Sequence, residues 1–331
     1  MQIQAKRLSV SKEVVMNLNF VGNRITFYIL STLLILASIA LLVSQGLNFG
    51  IEFKSGSVFR LSFQEEASVD DVRKVLELDR FRKYFQKSQV QEISAADAIG
   101  GSTKEFFVTS DFIAGNVGVE SIDRLVEQEL KSTFPSAKIH EFNNIGPAIG
   151  DDLKEAAIFS IIFSIFVIIF YISVRFEFQY SIVSIVALVH DVMFVLGIFA
   201  LTQREFSAST IAAILTIIGY SLNDTIVILD RIRENVRLMR KDSIDHIVNV
   251  SINQSLSRTF YTSMTTMCPI VILFLWGGTG VANFTFAMLL GVIVGTYSSV
   301  CLASPLLVTW DKGKAKSASV SDSAQVAASK S

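Results

Sequence analysis

Apolar residues fall into six long windows, at 25 to 45, 156 to 174, 181 to 202, 209 to 229, 257 to 276 and 281 to 309. Apolar runs of roughly 18 residues or more are long enough to cross a bilayer as helices, so the pattern predicts six membrane spans. The segment from 56 to 150 has other periods. Residues 57 to 63 alternate as a strand, and Ser68 precedes a helix over 69 to 80 with Val69, Val72, Leu76 and Leu78 along one stripe. Residues 90 to 94 and 105 to 110 read as strands around a Gly100-Gly101 turn, 119 to 134 as an amphipathic helix, and 138 to 142 as a closing strand. The order βαββαβ predicts a ferredoxin-like α+β domain between the first and second spans.

Smaller features punctuate this frame. Gly46, Gly50 and Gly56 precede the domain and Gly146-Pro147 follows it, so two necks are expected to act as hinges. Gly291 and Gly295 form a GxxxG in the last span, expected to let helix backbones approach closely. Between the fourth and fifth spans, Ile244, Ile247, Val248 and Ile252 share one face over 243 to 256, which predicts a helix lying on the cytoplasmic membrane surface. The stretch from 311 to 331, rich in Ser, Ala and Lys, is expected to be a disordered cytoplasmic tail.

Composition agrees with an integral membrane protein: 51% of residues are hydrophobic, 26 are phenylalanine and the mean hydropathy is +0.49. With 29 Lys+Arg against 30 Asp+Glu, no global field points to nucleic acid. The placement of the charges says more. Lys6, Arg7, Lys12 and Arg24 precede the first span, which lacks a small-residue cleavage site and is expected to be retained. Residues 1 to 24 should therefore be cytoplasmic, as should the loop 230 to 256 with Arg231, Arg233, Arg237, Arg240 and Lys241. Residues 56 to 150 then lie outside. Both cysteines, Cys268 and Cys301, fall in apolar windows, so disulfides are not expected to hold the outside domain together.

The chemistry is concentrated in the bilayer. Asp224 interrupts the fourth span, and a carboxylate near the centre of such a helix costs roughly 2.5 to 3.5 kcal/mol on insertion scales. Such acids usually face a bundle interior, pair with a base or carry protons. Thr216, Tyr220 and Asp224 recur every four residues, and Arg258, Thr262 and Thr265 or Thr266 do the same on the fifth span, ahead of Pro269. On the third span Ser184, Ala187 and Asp191 share a face, with His190 beside the acid. A proton path through Asp224, Arg258, Asp191 and His190 is one reading; a structural seam is the other. No HExxH, GxGD or GxSG motif is present, so neither an enzyme nor a metal or other cofactor is expected.

These residues carry a resemblance. Gly50-Ile51-Glu52-Phe53, Gly146-Pro147, His190-Asp191, and the stretches 218 to 225, 230 to 235, 251 to 259 and 295 to 299 resemble the SecF subunits of the bacterial SecD–SecF complex, a family related to the RND transporters. The resemblance implies half of a twelve-span machine whose other half is SecD. It also implies partnership with the SecYEG channel, unfolded secretory polypeptides as clients, a bacterial plasma membrane location with both termini cytoplasmic, and use of the proton gradient to promote export. By the same resemblance Asp224 is the protonatable acid and Arg258 its charged counterpart. The family pattern GxDFxGGT is altered here, with Glu52 for the Asp and Ser55 for the first Gly of the pair. The alternatives are a proton-coupled RND-type exporter half, for which 331 residues are few, and a passive scaffold subunit.

Overall fold

The computed structural model of the chain describes residues 18–63, 67–78, 81, 85, 88–93, 104–111, 119–175 and 178–310. It begins with α1 (Arg24–Ser44), β1 (Asn48–Phe49), the single turn α2 (Ile51–Lys54), β2 (Gly56–Phe63) and α3 (Val69–Leu76). Then come β3 (Gln89–Ile93), β4 (Lys104–Ser110), α4 (Val119–Thr133) and β5 (Lys138–Ile145). The rest is α5 (Pro147–Arg175), α6 (Phe178–Thr202), β6 (Glu205–Phe206), α7 (Ala208–Leu238), α8 (Ile244–Trp276) and α9 (Thr279–Ser298). After α9 a π-helical turn (Ser299–Ala303) leads into helical residues 304–310. The Gly100-Gly101 turn, the basic residues before 18 and the tail from 311 lie outside the described residues.

Six of these helices are long and apolar enough to span a bilayer: α1, α5, α6, α7, α8 and the helix from Gly280 to Trp310. The chain is a multi-pass membrane protein. At least half of the apolar window is buried in α6, α7 and the last helix, whereas α1, α5 and α8 leave most of theirs exposed. The inner layer is thus α6, α7 and α9. Small residues make it tight: a Cβ on Gly291 of α9 would overlap the Ile217 side chain of α7, and one on Gly295 would stand 3.0 Å from the Ser221 Cβ.

Between α1 and α5 the elements β2, α3, β3, β4, α4 and β5 form a four-stranded sheet in the order β3-β4-β2-β5, with every pairing antiparallel. Alternation along β2 turns Phe59, Leu61 and Phe63 into a core shared with Phe106 and Val108 of β4, Val72 and Leu76 of α3, and Val126 and Leu130 of α4. Ser68 caps α3 through a capping box with Asp71. Leu78 lies beyond the end of α3 and is exposed; Val75, absent from the predicted stripe, is buried instead. The helix ends two residues earlier than the stripe implied.

Two expectations are corrected. No surface helix runs over 243 to 256: the segment is the first part of α8, which continues unbroken to Trp276. Nothing between Leu256 and Ser257 breaks the helix. Its Ile247, Val248 and Ile252 are buried, the latter two in one cluster with Ile228, Leu229 and Ile232 of α7, so the apolar face meets protein rather than lipid. The second neck also differs from a loop. Pro147 is the first residue of α5, where its missing N–H costs no hydrogen bond. The 29-residue helix therefore starts nine residues before the predicted window.

The first neck is tied down. β1 pairs in parallel with β6, placing Asn48 opposite Glu205 and Phe49 opposite Phe206, and the Gly50 N–H donates to the Phe206 carbonyl at 3.0 Å. Phe49, Phe53 and Phe206 stack edge-on or tilted around this strand pair. Gly46 adopts φ +69°, a left-handed conformation that glycine takes without strain.

Candidate functional site

His190 and Asp191 of α6 and Tyr220 and Asp224 of α7 sit on the inner layer, whereas Arg258, Thr262, Thr265 and Thr266 belong to α8. On α6, His190 and Asp191 are buried at 3% and 1% exposure. The Asp191 Oδ2 accepts from the Ser221 hydroxyl of α7 at 2.5 Å and from the Ser298 hydroxyl after the GxxxG of α9 at 2.8 Å. Its Oδ1 lies 3.0 Å from His190 Nδ1. With Nδ1 as the donor, this carboxylate accepts three hydrogen bonds and stitches three helices together. The His190 Nε2 is buried with no partner.

Asp224, one turn along α7 from Ser221, is 2% exposed and differently placed. Its Oδ1 is 3.5 Å from the Thr262 hydroxyl of α8, at the outer limit of a hydrogen bond, and its Oδ2 is buried with no partner. The Thr262 hydroxyl meanwhile donates to backbone carbonyls of its own helix. Asp224 is thus held loosely. A carboxyl so placed can gain or release a proton without dismantling a hydrogen-bond network.

Hydroxyls surround it. The Tyr220 hydroxyl donates to Ser263 of α8 at 3.2 Å, Ser263 shares a 2.7 Å hydrogen bond with Thr296 of α9, and Thr225 shares one of 3.0 Å with Ser299. Ser299 opens the π-helical turn, a distortion found often at functional sites. The two polar stripes read from the sequence therefore meet through Tyr220, Asp224, Thr262 and Ser263. Thr216 and Thr265 do not join them: both are exposed, and each hydroxyl bonds a carbonyl one turn back on its own helix. Ser221, Thr296 and Ser298 entered the sequence reading only within stretches that carry the resemblance, with no contact assigned, and Ser263 was not picked out. Their signal was present as polar positions within apolar windows, but only the packing shows which of them face an acid.

Arg258 makes no ion pair with Asp224 here. It is exposed, and lines a pocket with Asp230, Arg231 and Glu234 near the α7–α8 turn. Among the described residues no group of three or more His, Cys, Asp or Glu is placed to hold a metal ion.

Comparison with known proteins bears on this arrangement. Residues 125–313 match the family described as protein export membrane protein SecD/SecF, C-terminal, and residues 40–67 match the SecD/SecF GG motif. The chain is 37% identical over 300 residues to protein translocase subunit SecF of Rhodothermus marinus, covering 88% of this chain and 92% of that one. It is 38% identical over 305 residues to protein translocase subunit SecDF of Thermus thermophilus, covering 91% of this chain and 40% of the relative. The crystal structure of SecDF, a translocon-associated membrane protein from that organism, superposes with a TM-score of 0.77 at 33% identity, over 89% of this chain and 39% of that one.

Proposed function

The chain belongs to the SecD/SecF family of protein export membrane proteins, and from that membership we propose that it serves as the SecF-type subunit of a Sec translocase accessory complex driven by the proton gradient. Asp224 carries the reading: of the two buried inner acids it alone has an oxygen without a partner, beside hydroxyls of the neighbouring α8. It takes the proton from one side of the membrane and releases it to the other. Each proton descending about 100 mV supplies roughly 2.3 kcal/mol, enough to bias two conformations of a hinged assembly. Arg258 answers Asp224 in a second conformation, in which α8 shifts relative to α7.

A SecD-type half completes the path. Asn223 of α7 and Arg258 of α8 are exposed in the single chain within or at the edge of the spans. Polar groups left facing lipid cost several kcal/mol, so a second bundle is expected to cover this face. The length of the SecDF relative, of which this chain matches 40%, leaves room for that bundle. Strand order β5-β2-β4-β3, all antiparallel, supports reading the folded domain as ferredoxin-like. The arginines around the α7–α8 turn, at the opposite end of the bundle, favour placing the domain outside a bacterial plasma membrane and both termini in the cytoplasm. There it acts on unfolded polypeptides leaving the SecYEG channel.

Replacing Asp224 by Asn tests the proposal. The variant is expected to insert and to join its SecD-type partner normally, while stimulation of export by the proton gradient, measured with a secreted reporter, is lost. Unchanged export would remove Asp224 from the mechanism.

A further inference from the structure

At the end of the bundle away from the folded domain, the last turn of α5 and the last turns of α7 enclose an open pocket of about 350 Å³ lined by Arg175, Asp230, Arg233, Glu234, Arg237 and Leu238. The α7 members recur at three- and four-residue spacing, which stacks them on one face. Three guanidinium groups thus line a pocket with two carboxylates. One of those, Glu234, is engaged by Arg231 at 2.6 Å from outside the lining, so on α7, among the described residues, Arg233 and Arg237 face the single remaining carboxylate, Asp230. The Nε of Arg233 is buried there with no hydrogen-bond partner. Planar guanidinium forks match phosphate oxygens two at a time.

The surroundings narrow the class of anion. Phe170 and Val174 of α5, the latter immediately before Arg175, are 64% and 74% exposed, and Leu238 at the pocket itself is 72% exposed. Phe170 and Val174, four residues apart, thus form an exposed apolar stripe on α5 that ends one residue before Arg175. A free phosphate would use the guanidinium groups and leave the stripe bare, whereas a phospholipid uses both. Basic pockets between membrane helices are suited to anionic headgroups in this way. We propose that the pocket binds the phosphodiester headgroup of an anionic phospholipid, with an acyl chain along α5. The bound lipid anchors the end of α7, the helix that carries Asp224, to one leaflet.

The test uses the purified full-length chain in nanodiscs of mixed phosphatidylglycerol and phosphatidylcholine, with retained lipid counted by native mass spectrometry. The wild-type chain is expected to retain phosphatidylglycerol preferentially. Arg237→Gln should weaken that retention about five-fold, in line with the contribution of one basic residue near an anionic surface, and Arg233→Gln with Arg237→Gln should abolish the preference. Arg240→Gln with Lys241→Gln, at the same end but outside the pocket lining, should leave it unchanged. Arg237 is exposed, so its single variant decides the matter even if the double variant misfolds. The proposal is overturned by equal retention of the two lipids, by equal loss in the control pair, or by displacement of the lipid with inorganic phosphate or a soluble acidic peptide.

Discussion

Asp191 and Asp224 are both carboxyls on inner helices, and their neighbours separate their roles. Removing the Asp191 side chain strands His190 and the Ser221 hydroxyl in a dry interior, where an unsatisfied polar group costs about 1–3 kcal/mol. Asp191→Ala should therefore destabilise the chain by about 2–4 kcal/mol, read as thermal unfolding in detergent. Asp224→Ala, which loses a long hydrogen bond to Thr262 and a contact with Ser263, should cost clearly less; the opposite ranking would make Asp224 the structural acid. Ser55 is a second case. It holds φ +58° and ψ 148°, a region essentially reserved for glycine, and it stands where the family pattern has the first glycine of its pair. Ser55→Gly should stabilise the chain by about 1 kcal/mol, seen as a raised unfolding temperature, even though it removes the hydroxyl's hydrogen bond to the Lys54 carbonyl.

Among the elements, the pairing of β1 with β6 turns a glycine-punctuated neck into a clasp. Gly50 lacks the Cβ that would collide with the carboxylates of Glu52 and Glu205, and so lets both acids gather at the strand pair. Burial and the nearby Glu52 push the Glu205 carboxyl above its ordinary value of 4.5, with Lys54 and the Ile51 N–H pulling the other way. A carboxyl whose folded value is raised favours the clasp in its protonated form. That stabilisation is complete below pH 4.5 and is lost as pH rises through the raised value. Hydrogen exchange of residues 46 to 56, corrected for intrinsic rates, should show the clasp loosening across that window. Glu205→Gln should flatten the dependence and keep the clasp closed at neutral pH. A slope that survives in the variant would assign the titration to another group.

For the whole molecule, the clasp sets how far the folded domain can move from the bundle. Asn48 and Glu205 are partners in the parallel strand pair, so cysteines there can be joined without displacing either segment. Asn48→Cys with Glu205→Cys, in a chain whose exposed Cys268 and buried Cys301 are changed to alanine, should support export when reduced and halt it when oxidised. Full export in the oxidised form, with the bond verified by gel shift, would show that opening of this neck is not part of the work cycle.

Six spans, the βαββαβ order and the placement of Asp224, Asp191 and His190 were legible in the chain itself, because apolar length, period and buried charge are local properties. The physics behind each is carried by a few consecutive residues. Which contact each polar group makes was not legible. Asp191 is quenched by hydroxyls 30 and 107 residues away in sequence, and only packing of α6, α7 and α9 decides that they meet. The same holds for β1 and β6, two-residue strands with no period of their own, and for Ile247, Val248 and Ile252, whose stripe suits a membrane surface as well as a neighbouring helix. An amphipathic pattern states that a face must be covered; the tertiary structure alone decides by what, since the hydrophobic effect is non-directional and any apolar surface in reach satisfies it.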